Sequence, residues 1–148
     1  MIVNNVLEKV LGRKESMFAA DLKNNTKKLA ENIENKQVLV IGGAGTIGSS
    51  FIKAALVFKP AKVVVVDINE NGLTELVRDL RSTKDQFIPN EFITYPVSFD
   101  SPAFKNLFLA HGPFHIVANF AAHKHVRSEK DIYSIEALLQ NNLIKAKE

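Results

Sequence analysis

The sequence predicts an α/β fold built on a parallel sheet. Short apolar runs suit strands that are buried on both faces, and amphipathic stretches of helical period lie between them. A glycine-rich turn follows the first apolar run directly. Strands that alternate with helices of this length are joined by right-handed crossovers, so the expected order of the first four strands is 3-2-1-4.

Four strands are predicted, each followed by a polar or glycine-containing turn. The first two are continuous apolar runs, as expected for strands that helices cover on both sides. The third and fourth predicted strands contain a smaller share of apolar residues, but they lie at the spacing that the alternation of strands and helices requires. The predicted strands span residues 38–41, 63–66, 91–97 and 115–120.

Helices are predicted between and after these strands. Pro60 ends the first, and Ser101 caps the third, with Pro102 at a position that needs no N–H. The last is predicted to run to the C-terminus. The expected core faces are Ile47, Phe51, Ala54, Ala55 and Phe58; then Leu73, Leu76, Val77 and Leu80; then Phe104, Leu107 and Phe108; and finally Ile135, Leu139, Leu143 and Ala146.

A helical lead is predicted over residues 1–36, ahead of an α/β domain over residues 37–148. Apolar residues recur in it at helical spacing, strongly at Val3, Val6, Leu7, Val10 and Leu11, and more weakly at Phe18, Leu22, Leu29 and Ile33. The fourth strand would form an uncovered apolar edge, which proteins avoid because it invites pairing. We therefore expect residues 37–148 to be the N-terminal part of a larger domain, and the chain alone to associate.

Composition excludes several classes of protein. The chain has 148 residues, 46% apolar and 24% charged, as in ordinary soluble globular proteins. Its net charge of +3 is spread along the chain, which argues against a nucleic-acid partner. The lack of cysteine excludes disulfides and cysteine-ligated zinc. The segment 1–35 is too charged for a signal peptide or membrane span, so a cytoplasmic location is expected.

The glycine-rich turn carries a dinucleotide-binding pattern. Gly42, Gly45 and Gly48 fit G-x-x-G-x-x-G, and Gly43 with the latter two fits G-x-G-x-x-G. Gly45 would let the backbone approach a pyrophosphate, which the helix N-terminus receives. The strand, turn and helix context predicts a Rossmann-type, doubly wound domain that binds a nicotinamide dinucleotide. The predicted contacts are Gly42, Gly43, Ala44, Gly45, Thr46, Ile47 and Gly48.

An acidic residue ends the second predicted strand. Asp67 lies 19 residues beyond Gly48, where a carboxylate accepts hydrogen bonds from adenosine ribose hydroxyls. A carboxylate there would repel a 2′-phosphate, so NAD is favoured over NADP. A turn or cap role for Asp67 is the alternative. The neighbouring Ile68 and Asn69 are included in the predicted cofactor site.

The segment after the fourth strand lies at the carboxyl edge of the sheet, where ligands of such sheets bind. Small Ala121 and Ala122 would leave room for the cofactor, and the predicted cofactor site includes both of them and His123. His123 and His125 are candidate metal ligands, but no third ligand is evident, so no metal is predicted; partly exposed loop histidines are the alternative. Asn142 shares the inward helical face and requires a partner, to support an active site or to hold a loop.

From Gln37 to Asn142 the sequence resembles extended short-chain dehydrogenases/reductases, and within them UDP-N-acetylglucosamine 4,6-dehydratases of the polysaccharide-biosynthesis type. The segments that carry the resemblance are 10–13, 38–49, 67–71, 76–81 and 121–126. The resemblance implies a homo-oligomer without a membrane span that acts on a UDP-sugar, with Lys124 and His125 near that substrate. The full protein would take a hydride from C4 of the hexose, eliminate water across C5 and C6, and return the hydride to C6.

The sequence departs from that family at the adenine-binding position. Many members place an aspartate after the third strand, where this chain has Val97; Asp100 matches the second acid, and the contact to adenine is predicted to come from Ser98 or from a backbone group instead. The family's Tyr-x-x-x-Lys segment is also missing, because neither Tyr95 nor Tyr133 is followed by lysine four residues later. Catalytic residues are therefore expected downstream of the chain, and none is assigned within it.

Three functions are consistent with these residues. A nucleotide-sugar 4,6-dehydratase comes first, a nucleotide-sugar 4-epimerase second, and a non-catalytic dinucleotide-binding regulator third. All three would share the cofactor domain. They would differ downstream, since the dehydratase needs an added acid/base pair, the epimerase needs only the Tyr/Lys pair, and the regulator needs neither.

Overall fold

The computed structural model describes Val10, Gly12 and residues 15–123 and 131–147. The chain divides into two units, residues 1–32 and 33–148. The main described element of the first unit is helix α1 (Ala19–Ile33), none of whose residues is buried. The second, weaker helix predicted in the lead is therefore present, whereas the first lies outside the described residues apart from Val10.

Strands and helices alternate along the second unit. In chain order they are β1 (Gln37–Ile41), α2 (Thr46–Leu56), β2 (Lys62–Val66), α3 (Glu70–Ser82), β3 (Glu91–Tyr95), α4 (Pro102–His111), β4 (Ile116–Asn119), α5 (Ile132–Leu139), a π-helical turn (Gln140–Ile144) and α6 (Lys145–Lys147). The four strands form a parallel sheet of order β3-β2-β1-β4. The predicted α/β class and strand order are thus confirmed.

Both faces of the sheet are covered by helices. Because side chains alternate along a strand, Val38 and Val40 pack on one face with α2 and α3, whereas Leu39 and Ile41 pack on the other with Leu107 of α4. The same alternation holds in β2, where every residue from 63 to 66 is buried. The two apolar runs therefore form the centre of the domain, as their sequence indicates.

Two strands are shorter than predicted. β3 ends at Tyr95 because the next N–H on the side of β2, that of Val97, donates back to the Tyr95 carbonyl over 3.0 Å. β4 loses one residue at each end, although the Phe120 N–H still donates to the Ile41 carbonyl over 2.8 Å. The carboxyl ends of β1 and β4 therefore stay side by side beyond the last paired residues.

The core face of α2 was predicted partly wrongly. Ile47 is 66% exposed and Ala54 is exposed, while Ile52 and Leu56 are fully buried. The buried positions 48, 52, 55 and 56 recur every three or four residues and face the sheet. Apolar residues lie on both sides of this helix, so periodicity alone allowed the wrong choice of face.

The faces predicted for the later helices are also less buried than expected. Phe108 on α4 is exposed, and so are Ile135, Leu139 and Leu143 of the last helical segment. That segment is helical from Ile132 to Lys147, as predicted, but it is not α-helical throughout, because residues Gln140–Ile144 form a π-helical turn. Within the described ranges, no helix is long and apolar enough to cross a membrane.

β4 forms one edge of the sheet. It pairs with β1 on one side, and no strand among the described residues pairs with it on the other. Val117 in its middle is 51% exposed. An edge of this kind offers free N–H and C=O groups beside apolar surface, which favours pairing with another chain.

We expect residues 1–148 on their own to associate, and Val117→Lys to shift the distribution toward monomer, because a charge on an edge strand opposes pairing. Light scattering coupled to size-exclusion chromatography measures this. Leu109→Lys is the matched control, since Leu109 is 80% exposed on α4 and the sheet edge is left unchanged. A monodisperse monomer of the unaltered chain would contradict the expectation.

Candidate functional site

A cavity of about 270 Å³ opens at the carboxyl ends of the strands. Such an edge is where parallel α/β sheets bind their ligands. It brings together many of the site residues predicted from the sequence: Gly42, Gly45, Asp67, Ile68, Ser98, Ala121, Ala122 and His123. The remaining wall is formed by Ile41, Val66, Val97, Phe99, Phe120 and Asn141.

Three glycines of the turn are required by the packing of the protein itself. Gly42 has a φ of +75°, and a Cβ there would lie 2.5 Å from the backbone N of Ala121. A Cβ on Gly43 would lie 2.2 Å from a methyl carbon of Val65, and one on Gly48 would lie 2.2 Å from the carbonyl oxygen of Gly42. Side chains at these positions would push apart β1, α2 and the segment after β4.

Gly45 is different from the other three. A Cβ there would lie 3.5 Å from the Gly42 carbonyl oxygen, an ordinary contact, and its φ of −72° suits any residue. The fold does not require glycine at this position, yet the residue is exposed and lines the cavity. Glycine at position 45 therefore leaves open space at the cavity wall, where another residue would place a side chain.

The N-terminus of α2 lies beside this space, because its cap residue Gly45 lines the cavity. α3, α4 and α5 begin with side-chain caps, from Asn69, Ser101 and Asp131 respectively. At α2 the cap position is Gly45, and no side chain accepts a hydrogen bond there. The positive end of the helix dipole is thus left available for an anion. Thr46 and Ile47, also predicted as contacts, form the exposed start of this helix.

Asp67 joins the end of β2 to the glycine turn. Its Oδ2 accepts from the Ala44 N–H over 2.9 Å, and its Oδ1 accepts from the Asn69 N–H over 2.9 Å. The turn role considered for Asp67 is therefore present. Each carboxylate oxygen keeps a second lone pair, and the residue lines the cavity, so Asp67 remains able to accept a hydroxyl donor.

The two residues after Asp67 take up different positions. Ile68 lines the cavity and is 77% exposed at its rim. Asn69 caps α3, and its Oδ1 accepts from the Gly72 N–H over 3.0 Å. The Asn69 side chain thus has a structural partner, while the predicted contact with a cofactor remains a prediction.

A polar chain connects the segment after β3 with the C-terminal helix. Ser98 hydrogen-bonds through its Oγ to Oδ1 of Asp100, and Lys145 Nζ lies 2.6 Å from Oδ2 of the same carboxylate. The bond to Lys145, followed by that to Ser98, lowers the pKa of the Asp100 carboxyl below its ordinary value. Asp100 is therefore ionised at neutral pH. The role of Lys145 was not predictable from the sequence, since pairing between residues far apart in the chain leaves no periodic signal.

Asn142 holds the segment after β4 by both ends of its amide. Its Oδ1 accepts from the His123 N–H over 2.7 Å, and its Nδ2 donates to the His123 carbonyl over 3.1 Å. The expectation that Asn142 needs a partner is confirmed, and that partner is a loop backbone at the cavity wall. Lys124 and His125, predicted near a substrate, lie outside the described residues.

Neither tyrosine of the chain lines the cavity. Tyr95 bonds through its hydroxyl to Nε2 of His111 over 2.7 Å, and Tyr133 is 79% exposed on α5. The part of the chain that the structure describes also contains no group of three acidic or histidine side chains that would hold a metal. The polar groups present, the uncapped start of α2 at Gly45 and the carboxylate of Asp67, suit an anion that also carries hydroxyl groups.

Known proteins resemble this chain in both sequence and fold. Residues 38–148 match the family described as polysaccharide biosynthesis protein. The probable polysaccharide biosynthesis protein EpsC of Bacillus subtilis is 28% identical over 140 residues, which cover 95% of this chain and 22% of EpsC. The chain thus spans about a fifth of the length of that relative.

Solved structures give the same result. Pen from Bacillus thuringiensis superposes with a TM-score of 0.62 at 26% identity, over 78% of this chain and 34% of Pen. WbmF from Bordetella bronchiseptica, in complex with NAD⁺ and UDP, superposes with a TM-score of 0.54 at 20% identity, over 80% and 31% of the two chains. The resemblance to extended short-chain dehydrogenases/reductases of the polysaccharide-biosynthesis type is thereby confirmed, and this chain belongs to the polysaccharide biosynthesis protein family.

Proposed function

We propose that residues 37–148 are the NAD-binding part of a nucleotide-sugar 4,6-dehydratase that acts on a UDP-N-acetylglucosamine-type substrate. The observation that carries the proposal is the cavity at the carboxyl ends of the strands, where Gly45, Asp67 and Ser98 form one wall. The full-length protein is proposed to be cytoplasmic and homo-oligomeric.

The glycine turn fits a pyrophosphate. Gly45 leaves space that a Cβ would partly fill, and the α2 N-terminus beside it carries no side-chain cap. Backbone N–H groups and the helix dipole together favour a doubly charged phosphate pair over a neutral group. Gly42, Gly43 and Gly48 would act indirectly, by holding the turn in this conformation.

Asp67 fits the adenosine ribose. The two backbone bonds fix its carboxylate, so its free lone pairs would accept from the ribose hydroxyls without further ordering. A 2′-phosphate would bring like charge to the same place. Among the residues that the structure describes, no lysine or arginine lines the cavity, and Arg78 pairs with Glu75 on α3. This charge distribution supports NAD over NADP.

The strand order gives the direction of the dinucleotide. β3, β2, β1 and β4 end side by side, so the adenosine would lie toward Ser98 and the nicotinamide toward Ala121. Ala121 and Ala122 would leave room for the nicotinamide ribose, and His123 would form the end of that wall. Lys124 and His125 follow directly and are proposed to contact the UDP-sugar.

The family and a structural neighbour support the chemistry. The chain belongs to a polysaccharide biosynthesis family. WbmF, which shares the fold, is known in a complex with NAD⁺ and UDP. NAD, when bound, would supply an acceptor and then a donor of hydride for the hexose. The residues of this chain would bind and orient it, while proton transfer would require groups outside residues 1–148, where a Tyr-x-x-x-Lys segment is expected.

An activity assay on the full-length protein tests the function. Incubation with UDP-N-acetylglucosamine should yield a 4-keto-6-deoxy sugar nucleotide, detected by its absorbance in alkali and by mass loss of one water. Formation of the 4-epimer without loss of water would instead identify an epimerase. Binding of NAD without turnover of any nucleotide sugar would favour the regulator.

We expect Gly45→Val to reduce NAD affinity by about a hundredfold or more while the protein stays folded, because the side chain enters space that the pyrophosphate needs. Calorimetry gives the affinity and thermal unfolding gives the stability. Ser50→Val, an exposed position one turn further along α2, is the control and should bind normally.

Gly48→Ala, unlike Gly45→Val, should destabilise the fold itself. Its Cβ would overlap the Gly42 carbonyl oxygen, so we expect it to lower the free energy of unfolding by about 2 kcal/mol or more.

Normal NAD affinity in a folded Gly45→Val protein would contradict the pyrophosphate assignment, whatever the result at Gly48.

Asp67→Ala should weaken NAD more than NADP. It removes ribose hydrogen bonds from the first and charge repulsion from the second, so the preference for NAD should fall by about tenfold or more. Loss of the bonds to Ala44 and Asn69 would affect both dinucleotides alike, which is why the ratio of the two Kd values is the measurement. Asp79→Ala, at an exposed aspartate on α3, should leave that ratio unchanged.

A further inference from the structure

We propose that the sheet edge formed by β3, together with the flank of α3 beside it, is an interface between two copies of this chain related by a twofold axis. β3 lies at the opposite end of the sheet from β4, and among the described residues it pairs only with β2. The surface is separate from the residues that line the candidate cofactor cavity, so the proposal does not depend on the proposed function.

The free edge of β3 presents the backbone of two residues to a partner. The Tyr95 carbonyl accepts from the Asp67 N–H over 3.2 Å, so the backbone groups of Tyr95 face the β2 side. Because this direction alternates along a strand, Phe92 and Thr94 turn their backbone groups away from β2. In an antiparallel pair of β3 strands, Phe92 lies opposite Thr94 of the second copy. Each such pair exchanges both N–H···O=C bonds.

Prolines on both sides of β3 restrict this pairing to a short stretch. Pro89 precedes the strand and Pro96 follows it directly, and neither has an N–H to donate. A second strand that slipped along β3 would meet one of these prolines. The prolines therefore oppose extended pairing and leave a self-complementary stretch centred on Ile93.

A cavity of about 210 Å³ lies between α3 and this edge. Its α3 side includes Val77 and Arg81, which are one turn apart on the helix. The flank of α3 that carries them therefore faces the sheet edge, whereas Asp79 on the opposite flank pairs with Lys53 of α2. The remaining lining residues are Leu80, Ile88, Pro89, Asn90, Phe92 and Thr94.

The edge-facing flank of α3 is complementary to itself. An antiparallel pair of α3 helices can put Glu70 opposite Arg81 of the second copy. The same register puts Thr74 opposite Val77, and the twofold axis repeats both contacts. An ion pair then forms at each end of the helix pair. Helical spacing places all four side chains in one row along this flank: Glu70, Thr74, Val77 and Arg81.

The charges at the two ends of this row are available for a partner. Glu70 and Arg81 are exposed, and neither side chain has a hydrogen-bond or ion-pair partner among the described residues. By contrast, Glu75 and Arg78 on the outer side of α3 pair with each other over 2.6 Å. Glu70 and Arg81 also suit the dipole of their own helix, since they lie in its first and last turns. Exchange of the two charges separates that role from the interface.

Analytical ultracentrifugation tests the proposal in the chain that carries Val117→Lys, where pairing through β4 is opposed. This chain should form a dimer at concentrations on the order of 100 μM. Glu70→Arg and Arg81→Glu, made separately, should each raise the dimer Kd by about tenfold or more, because like charges then meet at both ends. Lys105→Glu is the matched control, since it makes the same change of charge at an exposed position on α4 and should leave the Kd unchanged.

Restored association identifies the pairing. Glu70→Arg combined with Arg81→Glu in one chain should return the Kd to that of the parent. An equimolar mixture of the two single variants should form a mixed dimer, because each variant then offers the charge that the other lacks. If the charges served only the helix dipole, the combined change would restore nothing.

Thr94→Pro tests the strand pairing independently of charge. It removes an outward N–H that the sheet itself does not use, so the protein should stay folded while the dimer dissociates. Thermal unfolding shows whether each variant is folded. A Val117→Lys chain that stays monomeric at these concentrations would overturn the proposal. Single charge reversals with an unchanged Kd, or a folded double reversal that stays dissociated, would do the same.

Discussion

The close approach of Gly48 to the Gly42 carbonyl oxygen is the constraint on which the rest of the site depends. It sets α2 directly above the end of β1, with no side chain between the helix and the turn. Gly42 in turn lies against the backbone at Ala121, so the segment after β4 is drawn to the same point. At this corner of the cavity, the end of β1, the start of α2 and the segment after β4 therefore approach each other through their backbones.

Polar groups then stabilise the arrangement that the glycines permit. Asp67 bonds to the Ala44 and Asn69 N–H groups, which ties the turn to the end of β2. Asn142 bonds to both backbone groups of His123, which ties the far wall to the C-terminal helix. In each case a side chain supplies the hydrogen-bond partner that the loop backbone lacks, so the protein's own hydrogen bonds hold the cavity wall.

The sequence predicted the sheet and most of the cavity wall, because both depend on local pattern. Apolar runs gave β1 and β2, and the glycine spacing together with Asp67 gave the turn and its neighbouring carboxylate. The wrong face of α2 arose where Ile47 and Ile52 offered two apolar sides. Lys145 was missed because its pairing with Asp100 joins residues far apart in the chain, and the π-helical turn was missed because backbone hydrogen bonding of that kind has no composition signal.

The C-terminal helical segment is attached to two segments whose residues line the cavity. Lys145 reaches the segment after β3 through Asp100, and Asn142 reaches the segment after β4 through His123. These two attachments are three residues apart, on either side of the end of the π-helical turn. The helix therefore links the segments that follow the two outer strands, β3 and β4, which the sheet itself holds apart. A shift in the register of this helix would move both attachments together, so the two edges of the sheet are coupled through a single helical turn.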